Sequence, residues 1–428
     1  MSRSRLTTLT ERVQRIGYCG LYVDLVTTSQ GTVRVGSMPD IAKFLEEHGF
    51  REEIVVVPDW EVSLAGDNRT GEEFILWQAQ IRGGLCKEYV GQRNNLDQLH
   101  HHLDRIFPYF FDDKRLAIVR KNWLGNWFGP RPAEPQYKKG AVEVRCDKDN
   151  ILITDEGKGV YDKRALIPST NSDDDIESLL GTIPRDRMAR DGLEITPVGC
   201  GNGFSGTVAN SLIRFGQYVI WIDPCGYPAH TLARHNIHWD DITHFLFTHN
   251  HEDHVQGLTA CLQRARKKGR RLNLLVADSV FRILVDLYSP LFPDIQDLVN
   301  VQLLIPGTPI SLGPVQIESR WNHHILPYGT VGLRISAAGR CFGYSGDTKY
   351  DEAINAVLNR EELTASWFAP CDLVFHEIEF DNPNSVHSHW KQVELLQKAV
   401  SGKVLGYHTA FLENSPFELV KEGHRYLV

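Results

Sequence analysis

At 428 residues the chain is long enough for two domains, and 42% apolar with 10% aromatic residues is the make-up of a globular protein with a real core. A formal charge of −8 argues against a broad basic surface, so nucleic acid is the less favoured partner and a small substrate the better fit, although a local basic groove stays open. The eight cysteines are scattered without a Cys-x-x-Cys pair, which suggests neither a zinc ribbon nor a disulfide framework. Residues 1–12 are polar and charged, and no stretch approaches the roughly 20 apolar residues that span a bilayer. The expectation is a cytoplasmic protein without a membrane partner, with homo-oligomerisation open.

In chain order, residues 4–17 read as a short helix, and strand-like runs follow at 21–27, 53–57 and 73–78. Residues 96–107 look helical. Within that stretch, His100-His101-His102 could bind metal, but consecutive histidines on a helix point in three directions, so a solvated face is the better reading. Pro- and Gly-rich sequence over 125–140 interrupts the pattern, after which 141–146 and 150–154 alternate around Asp147-Lys148-Asp149 like a hairpin. These elements predict an N-terminal α+β domain over 1–168, of unassigned role. An acidic connector over 169–190, containing Asp173-Asp174-Asp175, marks the boundary.

Over 191–428 the rhythm becomes that of an α/β sandwich. Residues 193–198 form a strand, Gly199-Cys200-Gly201-Asn202-Gly203 a flexible loop, 211–215 a second strand and 218–222 a third that ends at Asp223. A polar segment with Trp239-Asp240-Asp241 leads to the apolar strand 244–247. Directly after it, Thr248-His249-Asn250-His251-Glu252-Asp253-His254 sets three imidazoles and one metal-type aspartate into six positions, 249–254. Neutral imidazole and carboxylate are ligands suited to zinc, and such a loop can face two metals at once. A polar loop merely rich in histidine is the competing reading, and the spacing makes it a poor one. The following helix should end at Gly269, which makes Arg264, Arg266, Lys267, Lys268, Arg270 and Arg271 ordinary last-turn cations rather than a phosphate site.

The run His249, His251, Asp253, His254 resembles the His-x-His-x-Asp-His signature of the metallo-β-lactamase superfamily, and later motifs resemble it in order over about 192–428. The resemblance implies an αββα sandwich with two divalent metal ions between its sheets, zinc first, with manganese or iron as alternatives. It assigns His249 and His251 to the first metal and Asp253 and His254 to the second. In Asn322-His323-His324-Ile325-Leu326-Pro327-Tyr328-Gly329 one imidazole completes the first metal, since adjacent histidines cannot both face inward. The phosphodiesterase branch often has His-x-x-Pro followed by an aromatic residue and glycine, which favours His324 over His323. Ser345-Gly346-Asp347-Thr348 looks like the family's Ser-Gly-Asp-Thr motif and makes Asp347 the bridging carboxylate. His408, in Val404-Leu405-Gly406-Tyr407-His408-Thr409, completes the second metal.

A metal pair lowers the pKa of a bridging water from about 15.7 toward roughly 7, which makes hydrolysis the default chemistry. Cys371-Asp372-Leu373-Val374-Phe375-His376-Glu377, followed by His387-Ser388-His389, resembles the ribonuclease Z branch, where His-Glu-Ala-Thr precedes His-Ser-Thr. By that resemblance Glu377 orients His387, which protonates an alkoxide leaving group, and Asp253, Glu377 and His387 form the catalytic set. Ile378, Glu379 and His389 depart from the pattern, and an ordinary ion pair between Glu377 and His387 is the bland alternative. Ribonuclease Z carries a tRNA-gripping arm between its third histidine and bridging aspartate, whereas His324 and Asp347 are only 23 positions apart here. The reading is a metal-dependent phosphodiesterase for a compact phosphodiester such as a cyclic nucleotide. A ribonuclease Z-like nuclease, or a lactonase or thioester hydrolase on the same metals, is the alternative. A di-iron oxygen or nitric-oxide protein is disfavoured because that branch has glutamate at the position of His251, and a non-catalytic partner-binding module because it would have lost ligands.

Overall fold

The computed structural model describes residues 5–57, 62–67, 88–106, 136–147, 150–166, 173–186, 190–204, 207–324, 329–359, 365–383, 386–410 and 412–428. They divide into two compact units, Met1–Ile176 and Glu177–Val428.

Within residues 4–17, expected as a helix, the described part from Arg5 is a hairpin in which β1 (Arg5–Thr10) pairs antiparallel with β2 (Val13–Tyr18). The spacing of Val13 and Ile16 imitates a helical stripe, but Thr7, Thr8 and Thr10 are β-branched and β2 finds a second partner in β3 (Leu21–Thr28). β4 (Gly31–Val35) follows antiparallel, then α1 (Ile41–Glu47) and β5 (Ile54–Val56), parallel to β4. A small hairpin, β6 (Val62–Ser63) with β7 (Gly66–Asp67), precedes β8 (Glu88–Val90), the last strand of this sheet. The expected helix is α2 (Arg93–Ile106), while the strand expected at 73–78 and the imidazoles of His100-His101-His102 lie outside the described residues. β9 (Gln136–Lys139), β10 (Val142–Asp147), β11 (Asn150–Asp155) and β12 (Lys158–Asp162) make a second, antiparallel sheet, with the expected hairpin at β10–β11. A core of Val26, Val33, Val35, Val144 and Ile153 joins the two sheets. The three aspartates of the acidic segment open α3 (Asp173–Gly181), across the division between units.

Unit two has two larger sheets. The first contains β13 (Arg190–Gly199), β14 (Asn210–Gly216) and β15 (Tyr218–Ile222), antiparallel, then β16 (His244–Phe247), β17 (Leu272–Val276) and β18 (Val299–Leu303), parallel. Between them run α4 (Pro228–Arg234), α5 (Glu252–Val255), α6 (Leu258–Lys268), which ends at the expected Gly269 with φ 59°, and α7 (Asp278–Tyr288). The second sheet has β19 (Ile310–Leu312), β20 (Val315–Trp321), β21 (Val331–Ala337) and β22 (Arg340–Tyr344), antiparallel, then β23 (Leu373–Glu377) and β24 (Lys403–Tyr407), parallel. Helices α8 (Glu352–Leu358), α9 (Ala365–Phe368) and α10 (Trp390–Ala399) lie between these strands in sequence, and β25 (Tyr426–Leu427) closes the first sheet beside β13. Every residue of β23, and all of β16 after His244, is buried, as strands must be when a helix layer covers one face and a second sheet the other. Trp367, Phe368, Val393 and Leu396 cover the outer face of β23 and β24 through Val374 and Val404. This is the αββα sandwich of the metallo-β-lactamase fold.

Unit one repeats much of this plan. In both, three antiparallel strands (β2–β3–β4, β13–β14–β15) continue into parallel ones, and the strand before the turn is followed at the same distance by a helix of seven residues, α1 or α4. The residue after that strand has positive φ in each, Gly36 at 93° and Asp223 at 49°. The β9–β10 and β19–β20 turns each hold a glycine at φ 57°, Gly140 and Gly313, and the β11–β12 and β21–β22 turns pair Glu156-Gly157 with Ala338-Gly339 in the left-handed region.

Candidate metal centre

Strands β15, β16, β20, β22, β23 and β24 deliver Asp223, His249, His324, Asp347, Glu377 and His408 from their carboxyl ends, the edge where open α/β sheets present ligand-binding loops. The seven expected metal ligands gather there. Side-chain donors of His249, His251, His324 and Asp347 lie within 4.8 Å of one another, and so do those of Asp253, His254 and His408. Asp347 stands between the groups, with Oδ2 3.8 Å from His249 Nε2 and 3.9 Å from His324 Nε2, and Oδ1 3.3 Å from His254 Nε2 and 3.8 Å from His408 Nδ1. His251 Nδ1 is 3.0 Å from His249 Nε2 and 3.2 Å from His324 Nε2, so three imidazoles converge on one point. Of the neighbouring pair His323 and His324, it is His324 that enters this cluster.

Glu377 and His387 join the same constellation, each with a donor within 4.8 Å of Asp347 and His408. One Glu377 oxygen is hydrogen-bonded to His387 Nδ1, and that nitrogen is 4.0 Å from Asp347 Oδ2. Burial depresses the imidazoles of His249 and His324, assisted by the neighbouring imidazoles. Burial also opposes charge on His387, but the charge and hydrogen bond of Glu377 together with Asp347 and Asp253 outweigh it and lift the pKa to about 9. Carboxylates also favour the charged form of His254, where burial is opposed by Asp347, Asp253 and Asp223.

Residues 193–424, more than half of the chain, match the family model described as anti-Pycsar protein Apyc1. The chain belongs to that family. An Apyc1 of Paenibacillus sp. (strain J14) is 27% identical over 229 residues, covering 50% of this chain and 89% of its own. An Apyc1 of Bacillus phage 010DV004 is 29% identical over 216 residues, covering 44% and 77%. Among solved structures, the metallo-β-lactamase fold protein YhfI of Bacillus subtilis superposes at a TM-score of 0.46 with 16% identity, over 56% of this chain and 100% of that one. The Apyc1 match lies wholly within unit two, the unit that carries the metal-ligand cluster. This Apyc1-family chain is a metal-dependent hydrolase.

Several residues that complete the cluster in this Apyc1-family chain have no motif of their own. Asp223 is fully buried at the end of β15. Its Oδ1 accepts the Thr248 N–H at 2.8 Å, and its Oδ2 accepts the Thr248 hydroxyl at 2.7 Å and faces His254 Nδ1 at 2.9 Å. Its one sequence signal is an aspartate directly after a fully apolar strand. The Ser345–Tyr350 loop is held from both sides. Asn322 Nδ2 donates to Ser345 O at 2.6 Å and Asp347 O at 3.0 Å, and Lys349 N donates to His323 O at 2.6 Å. Gly346, at φ 56°, must be glycine, since a Cβ would sit 2.6 Å from Val331 O. Thr348 N donates to the second Glu377 oxygen, and Glu377 N donates to Ser345 Oγ at 2.9 Å.

The departures from the ribonuclease Z pattern are structural. Ile378 is buried in the outer core, Glu379 caps Asp381 N at 2.9 Å, and His389 precedes α10, with its N–H donating to Gln392 Oε1 at 3.1 Å and its Nε2 3.2 Å from Phe380 O. The basic run on α6 is largely neutralised in place. Arg264 pairs with Glu177 and Asp240, Arg266 with Asp294, Lys268 with Glu177, and Arg271 lies 3.9 Å from Asp297.

Proposed function

We propose that the site holds two divalent metal ions, zinc first, and hydrolyses a compact phosphodiester such as a cyclic nucleotide. The residues fit such a pair: the donor set is imidazole and carboxylate, and the buried Nε2 atoms of His254 and His408 have no hydrogen-bond partner among the described residues. His249, His251 and His324 would hold one ion, Asp253, His254 and His408 the other, with Asp347 between. When bound, the ions supply a nucleophilic water at neutral pH and Lewis acidity toward a phosphoryl oxygen.

The observation that carries the phosphodiesterase reading is the Glu377–His387 pair beside Asp347. With Nδ1 engaged by Glu377, the proton to be transferred sits on Nε2 and passes to the departing oxygen as the phosphorus–oxygen bond breaks. Asp253, itself one of the expected ligands, adds negative charge that favours the imidazolium. A thioester, whose thiolate is a weak base, would not need this proton. The 22 residues between His324 and Asp347, mostly taken up by β21, β22 and their tight turn, favour a small substrate over a gripped RNA.

The test is the leaving group. His387→Ala should slow hydrolysis of a cyclic nucleotide by about two or more orders of magnitude and spare p-nitrophenyl esters, whose anion leaves unaided. Glu377→Gln should show a milder version. Equal losses on both substrate types would take the acid role from His387 and favour the lactonase or thioesterase alternative.

A further inference from the structure

Ser388, between His387 and His389, is fully buried and has no role in the chemistry so far. Its hydroxyl donates to Thr348 O at 2.7 Å and accepts from Tyr350 N at 2.6 Å, while its carbonyl accepts from Glu379 N at 2.8 Å. Thr348 in turn donates its N–H to one oxygen of Glu377, whose other oxygen is bonded to His387 Nδ1. His387 is covalently joined to Ser388. These four residues therefore close a ring: His387, Ser388, Thr348, Glu377 and back to His387.

Each link of the ring removes a different freedom. The Glu377 bond fixes the rotation of the imidazole, the Thr348 N–H fixes the carboxylate, and the Ser388 hydroxyl fixes the peptides around Thr348 against the backbone that carries the imidazole. Ser388 also ties the His387 segment to the loop bearing Asp347, one residue before Thr348. The imidazole is part-buried, at 28% side-chain exposure, with the His324 and His408 rings 5.5 and 5.6 Å away, and the ring of bonds adds to that packing.

We propose that Ser388 is a positioning residue that holds His387 in line with the leaving-group oxygen by locking the Thr348–Glu377 link. This rests on the phosphodiesterase reading above. It acts through other residues and touches neither substrate nor metal ligand side chain. Partners at this remove typically cost about 10–100-fold in activity when deleted.

The experiment compares Ser388→Ala, Ser388→Cys and His387→Ala in the metal-loaded protein, on a cyclic nucleotide and on a p-nitrophenyl phosphodiester, with metal content and thermal melting recorded. Histidine ¹⁵N-labelled protein reports the His387 Nδ1–H resonance, assigned by its loss in His387→Ala. Ser388→Ala should lower cyclic-nucleotide turnover about 10–100-fold, keep aryl-ester turnover within about threefold, leave metal content unchanged and broaden or shift the Nδ1–H signal. Ser388→Cys, which keeps a weak donor and acceptor, should fall between, and it decides the matter by the same pattern if the alanine variant does not fold. If His387→Ala is selective and the serine variants lose both substrates equally or neither, the positioning role is overturned and the phosphodiesterase reading stands. If His387→Ala is itself unselective, the phosphodiesterase reading falls and the role of Ser388 with it.

Discussion

Replacing Asp223 by asparagine should weaken metal binding far more than it weakens the fold. The fully buried carboxylate accepts three hydrogen bonds, two from Thr248 and one from His254 Nδ1, and the last of these keeps the His254 proton on Nδ1 so that the Nε2 lone pair faces the metal group. An asparagine of the same shape tolerates the positive φ of 49°. Its amide cannot satisfy both partners. With the nitrogen toward His254 it donates to Nδ1 and drives the proton to Nε2, and with the nitrogen reversed it meets the Thr248 N–H donor to donor. Loss of one charge-assisted bond costs about 1.5–3 kcal/mol. That corresponds to roughly 10- to 150-fold in affinity, in line with the usual effect of deleting a histidine's supporting carboxylate. The assay is zinc competition against a chromophoric chelator, with the cobalt-substituted spectrum as a check on ligand number. Zinc affinity within about threefold of wild type, in a folded variant, would refute the tautomer argument.

The chain should hold about two equivalents of divalent transition metal by elemental analysis, and Asp347→Ala or His254→Ala should abolish turnover with the secondary structure retained. A combined His254→Ala and His324→Ala protein should lose both expected metal positions, and any metal it keeps should be removed by adding His387→Ala, since Asp347, Glu377, His387 and His408 are the ligand group that the described residues still offer; metal surviving all three changes would reveal a second locus. His324→Ala should lower metal affinity and activity at least tenfold more than His323→Ala, because only the former imidazole enters the cluster, and the reverse order would mean the two loop neighbours had been exchanged.

The metal loop was legible because chemistry of this kind leaves little choice of residue type: three imidazoles and an aspartate within one strand-to-helix turn have few other uses. The strands carrying them were legible because burial on both faces writes continuous apolar runs, as in β15 and β16. The β1–β2 hairpin was misread because Val13 and Ile16 fit a helical stripe as well as a strand, and only the long-range partner β3 decides between them. Asp223, Asn322 and Ser388 were passed over for a related reason. Each acts through a backbone group or a ring nitrogen contributed from another strand, and a lone polar residue in sequence says nothing about what will stand opposite it.

The two units separate what the sandwich does from what its loops do. In unit one the strand ends that would carry ligands hold Val57-Pro58-Asp59-Trp60-Glu61 after β5, only Lys148 and Asp149 between β10 and β11, and Lys163-Arg164-Ala165-Leu166 after β12, with no histidine in any of them. Its inter-sheet layer satisfies its own charge: Asp24, fully buried opposite Val35, takes two bonds of 2.7 Å from Arg15 and one of 2.9 Å from Tyr161. The matching position in unit two, opposite Ile222, is Ser211, bonded to Tyr407 at 2.8 Å. Among the described residues of unit one no ligand group forms, whereas in unit two Asp347 and the converging imidazoles leave buried charge and lone pairs that a cation would neutralise. Chelation should therefore raise amide hydrogen exchange in peptides covering 248–257 and 345–350 by about tenfold or more, as expected when ligand loops lose 1.4 kcal/mol or more of local stability. Peptides from β2, β3, β10 and β11 should be unchanged. Uniform acceleration across both units would show that metal stabilises the whole chain rather than the loops, and no change in either would mean that the ligand loops are fixed by hydrogen bonds alone.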